Sequence, residues 1–211
     1  MSKMSKIKVG IIGVGNCAKS LVEGIQYYKT NPDDTVGLMY ESIGGYTVNE
    51  IEFVVGFDVD RRKVNKPLVD ALRAAPNCAM DHVEEILENG SNTSGCVKKG
   101  AMVYSGPELD GVAPHMLDYP EEVSFRTGAE AAKSFDDIVN IVKDAEVDVL
   151  INYAPVGSEK LSKFYIDVAL KAGVHFVNCI PTVISTKDTK RIEQKFIDAG
   201  LTIVGSDMRS A

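Results

Sequence analysis

Apolar positions along this chain cluster into short runs separated by amphipathic stretches. Ile7–Ile12 (IKVGII) is apolar except at Lys8 and rich in β-branched residues, which predicts a short buried strand. An amphipathic helix follows through about Tyr28. Glu50–Phe57 is apolar at Ile51, Phe53, Val54, Val55 and Phe57, the pattern of a parallel strand buried on both faces. Lys66–Arg73 predicts a short helix with Pro67 in its first turn, and Ala101–Ser105 a third strand. From Ser134 the alternation becomes regular. Ser134 caps a helix with Asp137 in the partner position, and Ile138, Val139, Ile141 and Val142 form its apolar face. Val147–Tyr153 then reads as a strand, and Glu159–Ala172 as a helix with Ser158 as N-cap and Gly173 as its stop. Val174–Asn178 is a strand, Ser185–Ala199 a helix ended by Gly200, and Leu201–Val204 a last strand. About six strands with helices on both faces make an α/β fold with a doubly wound, Rossmann-like parallel sheet.

The turn after the first strand carries chemistry. Gly13-Val14-Gly15-Asn16-Cys17-Ala18 is a G-x-G-x-x-A sequence between a strand and a helix. Such a turn suits a dinucleotide: Gly13 permits the tight bend, Gly15 lets the backbone approach phosphate oxygens, and Ala18 lets the helix pack closely with its N-terminus toward the anion. Asp58 ends the second strand, where a carboxylate accepts hydrogen bonds from the adenosine ribose. Its distance from the glycines exceeds the usual interval of about 20 residues. The excess is the turn-rich excursion Thr30–Asn49, which is expected to cover the cofactor or a neighbouring subunit. Asp58 disfavours a 2′-phosphate and so favours NAD, whereas Arg61-Arg62-Lys63, read as a solvated helix start, pulls the other way. Ligands of such sheets lie beyond the carboxyl ends of the strands. The candidates there are Asp58, Ser105, Tyr153, Ala154, Pro155, Gly157, Ser158, Asn178–Pro181 and Ser206–Asp207. The junction at Gly157-Ser158 is expected to face the same crevice and to take a phosphate or ribose on the nicotinamide side. Glu108 and Asp110 read as solvated turn residues. Ala75–Lys99, with a helix over Asp81–Glu88, shows no chemistry.

Composition narrows the function classes. The 211 residues are 45% hydrophobic and 25% charged, enough for a full core. A net charge of −7 without basic stripes argues against nucleic acid or an anionic membrane as partner. The apolar run behind the polar N-terminus is too short for a signal sequence or a span, so a cytoplasmic protein is expected. Cys17, Cys78, Cys96 and Cys179 lack regular spacing and read as reduced thiols. Cys78, His82 and Cys96 lack a fourth ligand, so no metal site is assigned.

Seven blocks in order then carry a resemblance: Ile12–Ala18, Phe57–Asp60, Gly106–Gly111, Ala154–Ser158, Lys163–Tyr165, Asn178–Pro181 and Gly205–Asp207. The chain resembles the bacterial and archaeal myo-inositol-1-phosphate synthases over nearly its whole length. The resemblance implies a bound NAD that is reduced and re-oxidised within one turnover. Glucose 6-phosphate is oxidised at C5, enolised, closed onto its C1 aldehyde and reduced again, an isomerisation in inositol biosynthesis. By matching position, Gly13, Gly15, Asn16 and Cys17 hold the pyrophosphate and Asp58 the ribose, while Ala145, Tyr165, Asp207 and Ser210 belong to the cofactor-contacting set. Asp207 is the one catalytic candidate. The last block departs from the family's Gly-Asp-Asp-Ile-Lys-Ser: Gly205-Ser206-Asp207-Met208-Arg209-Ser210 loses a carboxylate and replaces the lysine by arginine, which does not give up its proton at neutral pH. Residues 1–211 are expected to be the NAD-binding domain. The family's substrate and oligomerisation part would follow Ala211, and the full-length enzyme is expected to be a homo-oligomer. Lys160, Lys163 and Lys171 read as a solvated helix face rather than a substitute for that part. The alternatives are a non-catalytic NAD-binding short form and the cofactor domain of another NAD(P)-dependent oxidoreductase.

Overall fold

The computed structural model of the chain describes residues 5–81, 95–112, 114–128, 131–182 and 190–205. Six parallel strands form one sheet: β1 (Ile7–Ile12), β2 (Ile51–Asp58), β3 (Val103–Ser105), β4 (Val149–Asn152), β5 (His175–Asn178) and β6 (Ile203–Val204). Their spatial order is β3-β2-β1-β4-β5-β6. Chain order therefore reverses between β1 and β4, and a crevice opens beyond their carboxyl ends.

Helices cover both faces. On one, α1 (Asn16–Thr30) and α2 (Leu68–Arg73) pack Ala18, Val22, Leu68 and Leu72 against Val9, Ile11 and Phe53. On the other, α3 (Phe135–Asp144), α4 (Glu159–Ala172) and α5 (Lys190–Asp198) pack Ile138, Tyr165 and Phe196 against Ile12, Phe57, Leu150 and Phe176. Burial of these large side chains supplies about 1.5–3 kcal/mol each. The Ser134–Asp137 capping box opens α3 as the sequence indicates. Pro67 is the N-cap of α2, one residue before its first turn.

Several expectations change. The Thr30–Asn49 excursion leaves the C-terminus of α1, a helix that carries the chain about 22 Å away from the crevice. None of its residues lines the crevice. The excursion is closed by an Ile43–Tyr46 bridge and a Thr47–Glu50 capping box, and it exposes Val36, Met39, Tyr40 and Ile43. Nor are Arg62 and Lys63 a solvated helix start. Asp60 is fully buried, and Arg62 binds both its carboxylate oxygens, at 2.8 and 2.5 Å. Two further Arg62 N–H groups donate to the carbonyls of Glu121 and Ser124. Burial opposes ionisation of Asp60, but the bonds from Arg62 and the Arg126 N–H outweigh it and hold the carboxyl below its ordinary range. The expected helix over Asp81–Glu88 lies outside the described residues from His82 onward.

Candidate functional site

A cavity of about 380 Å³ occupies the crevice between the β1 and β4 ends. The glycine turn forms one wall. Gly13 has φ of +81°, its N–H donates to Phe57 O at 2.8 Å, and a Cβ on it would stand 2.7 Å from the Tyr153 carbonyl oxygen. Only glycine satisfies both demands. Gly15 differs: its φ of −97° is open to any residue, and a Cβ there would meet nothing within 4 Å. The space over Gly15 is therefore free for a ligand. It lies at the start of a 15-residue helix, whose first amides and dipole favour an anion.

Asp58 joins this turn to β2. Its Oδ2 accepts from the Val14 N–H at 2.8 Å, and its Oδ1 accepts from the Val59 and Asp60 N–H groups at 2.8 and 2.9 Å. A carboxylate offers about four acceptor positions, and Asp58 also lines the cavity. One acceptor position is left for a ligand hydroxyl there.

The opposite wall comes from the ends of β4 and β5. Asn152 is fully buried. Its amide nitrogen donates to Ser162 Oγ at 3.0 Å and Asn178 Oδ1 at 2.9 Å, and its oxygen accepts from the Ala154 N–H at 3.1 Å. Asn178 in turn donates to the Ile180 carbonyl at 2.8 Å. This pair shapes the turns that bring Tyr153, Ala154, Pro155, Cys179 and Ile180 to the cavity. Burial raises the Tyr153 hydroxyl well above its ordinary pKa, aided by its hydrogen bond to the Cys179 thiol. It is a donor throughout the neutral range.

Tyr165 forms the floor. It is fully buried, with ring centroids 5.6 Å from Phe57 and 5.3 Å from Phe164. Burial, with the Asp58 carboxylate adding, pushes its hydroxyl pKa far up.

Of the residues expected at the site, Gly13, Gly15, Asn16, Cys17, Asp58, Tyr153, Ala154, Pro155 and Tyr165 line this one cavity. Asn178 stands behind the wall rather than in it. Gly157 is exposed in the following turn and Ser105 is buried at the end of β3, and neither lines the cavity. Ala145 is displaced altogether: it caps the C-terminus of α3, beside the Lys8–Glu146 ion pair at the amino-terminal end of the sheet. Asp207, Ser206 and Ser210 lie outside the described residues.

Two local expectations are corrected. Ser158 does not cap α4 with its side chain; its hydroxyl donates to Pro155 O at 2.6 Å. The cap comes from Asp110, whose carboxylate accepts from the N–H groups of Lys160 at 2.7 Å and Leu161 at 3.0 Å. The start of α4 is thus already neutralised by a protein carboxylate, and the anion position expected at Gly157-Ser158 is filled. Residues 77–79 also do have a role. Asn16 Oδ1 accepts from the Cys78 and Ala79 N–H groups at 2.8 and 2.9 Å, Lys19 Nζ reaches Ala79 O at 2.6 Å, and Asn77 Nδ2 reaches Val14 O at 3.1 Å. This segment straps the first turn of α1. No signal in the sequence gives Asn77, Asp110 or Asn152 these partners. Among the described residues no cluster of three or more His, Cys, Asp or Glu side chains suits a metal ion, and no helix is long and apolar enough to cross a membrane.

The chain is 41% identical over 208 residues to inositol-3-phosphate synthase of Corynebacterium glutamicum, covering 98% of this chain and 52% of that protein. It is 40% identical over 207 residues to the Mycolicibacterium smegmatis enzyme of the same name, covering 97% and 51%. By sequence, the chain is similar over nearly its whole length to inositol-3-phosphate synthases. It spans about half the length of these curated relatives. No protein-family model matches it. Among solved structures it is similar to Ari2, with a TM-score of 0.76 and 26% identity over 98% of this chain and 54% of that one. A myo-inositol-1-phosphate synthase-related protein of Thermotoga maritima shares the fold, with a TM-score of 0.70 at 19% identity over 98% and 56%. A Rossmann-like sheet accounts for the glycine turn, the carboxylate at the β2 end and the reversal point together.

Proposed function

We propose that this chain binds NAD in the β1/β4 crevice and supplies the cofactor-binding part of an enzyme that converts glucose 6-phosphate to myo-inositol phosphate. The observation that carries this reading is the glycine turn. Gly13 is closed by the Tyr153 carbonyl, while Gly15 opens onto free space at the start of α1. That cradle fits a diphosphate, and the cavity beside it suits the rest of a dinucleotide. The amides of Gly15, Asn16 and Cys17 would hold the pyrophosphate and the Asp58 carboxylate the adenosine ribose. Tyr153, Ala154 and Pro155 would bound the nicotinamide half. Burial keeps the Tyr153 and Tyr165 hydroxyls protonated.

When bound, NAD supplies the transient oxidation of glucose 6-phosphate that permits enolisation, aldol ring closure and re-reduction. The residues of this chain position that cofactor and keep water from its buried side. Selectivity for NAD over NADP follows from the charges at the β2 end: Asp58 repels a 2′-phosphate, and Arg62 is committed to Asp60 and to the 121–124 carbonyls.

The test is inositol phosphate formation from glucose 6-phosphate and NAD by the full-length enzyme to which this chain contributes, with no net NADH. Absence of product, or NADH accumulating with turnover, would contradict the assignment.

A further inference from the structure

Lys63 is fully buried, and an ammonium is costly to withdraw from water unless its donors are used. Burial pushes its pKa down, the Asp58 and Asp60 carboxylates oppose that shift, and Arg62 adds to it. Its Nζ donates to the Val14 carbonyl and to Asn77 Oδ1, both at 2.8 Å, and stands 4.0 Å from Asp58 Oδ2. Asn77 Nδ2 donates to the same Val14 carbonyl at 3.1 Å and to Leu72 O at 2.9 Å. Asp58 takes the Val14 N–H. Both peptide planes flanking Val14 are therefore anchored by side chains from beyond the glycine turn.

This anchoring has a geometric consequence. In a planar trans peptide the C=O and the following N–H point in opposite directions. Holding the Val14 carbonyl inward, on Lys63 and Asn77, turns the Gly15 N–H outward, to the side where Gly15 lines the cavity. Asn77 alone supplies one donor. Lys63 adds a second and fixes Asn77 through its Oδ1, so the carbonyl has little freedom to rotate.

We propose that Lys63 is a positioning residue for the diphosphate site: by pinning the Val14 carbonyl behind the glycine turn it aims the Gly15 amide at the pyrophosphate oxygens of a dinucleotide. The proposal rests on the reading of the crevice as an NAD site. It gives a role to a fully buried lysine that does not itself line the cavity.

The full chain, its Lys63→Met variant and its Asn77→Ala variant are titrated calorimetrically with NAD, ADP-ribose and adenosine, and their thermal unfolding is recorded. Lys63→Met keeps the length of the side chain and removes its donors. It is expected to weaken NAD and ADP-ribose alike by about tenfold or more, as for one lost hydrogen bond to a charged group, with adenosine binding unchanged. Asn77→Ala is expected to show the same ligand pattern with a smaller loss, and it carries the test if Lys63→Met does not fold. Unchanged NAD and ADP-ribose binding, or a loss shared equally by adenosine, would overturn the role of Lys63. Failure of the unsubstituted chain to bind NAD would instead overturn the reading of the site.

Discussion

The Tyr165 hydroxyl lies against the backbone of Gly106, so near that a Cβ added to Gly106 would stand 2.5 Å from it. Gly106 directly follows β3 and Tyr165 rises from the middle of α4, so this contact sets how far the β3 loop can approach the floor of the cleft. The Tyr165 ring is held by Phe57 and Phe164 and cannot swing aside. Gly106→Ala is therefore expected to cost about 1–3 kcal/mol by overpacking. Tyr165→Phe removes the clashing oxygen, and the double variant should recover about 1 kcal/mol or more of that loss. Urea unfolding of the four proteins measures this coupling, and simple additivity would contradict the contact.

The two glycines of the turn are expected to fail differently. Gly13→Ala meets a left-handed φ and the Tyr153 carbonyl, and should destabilise the fold by about 2 kcal/mol or more. Gly15→Ala has an allowed backbone and open space, so its unfolding midpoint should match the parent while NAD binding is lost to the methyl group. Thermal unfolding with and without NAD separates the two. A Gly15→Ala variant that still binds NAD would place the phosphates elsewhere.

Asp110 caps α4 across the loop, and Asp110→Ala should cost about 0.5–2 kcal/mol, the range for a lost N-cap. Its partial burial raises the carboxyl pKa, but the Lys160 and Leu161 amides outweigh that and hold it below the ordinary range. A depressed folded pKa means the cap is fully effective above the unfolded pKa and fades as pH falls through the folded one. The stability difference between parent and Asp110→Asn should be constant from pH 7 to about 5 and shrink below about 4. Denaturant titrations across that range check the sign.

Asn152→Ala would leave Ser162 Oγ and Asn178 Oδ1 without their donor and the Ala154 amide without its acceptor, all in the buried wall. A loss of about 3 kcal/mol is expected, with NAD affinity falling because Ala154 and Pro155 lose their support. Retained stability measured by urea unfolding would show that the wall does not depend on this amide.

What was legible in the sequence was local. The apolar runs at 7–12 and 50–57, the Ser134–Asp137 capping box and the Gly13–Ala18 turn all report within a few residues, and the structure places each within one residue of where that pattern indicates. The missed residues act over long separations. Asp110 reaches α4 across 50 residues, and Asn77 reaches Val14 across 63. No periodicity links such partners, so Asp110 resembled any polar turn residue. Arg62 and Lys63 escape a local reading for a related reason, since a basic run looks solvated until Asp60, Asn77 and the Val14 carbonyl come together around it. Ala145 was assigned by position in a resemblance, and the direction of β4 puts it a strand's length from the cleft.

Amide chemical-shift mapping of the isotope-labelled chain during an NAD titration tests the central claim most directly. Saturable shifts are expected at Gly13–Cys17, at Asp58 and at Tyr153–Ala154, with NADP producing them only at much higher concentration. No saturable shift, or shifts confined to residues outside the β1/β4 crevice, would contradict the assignment of this cleft as the NAD site.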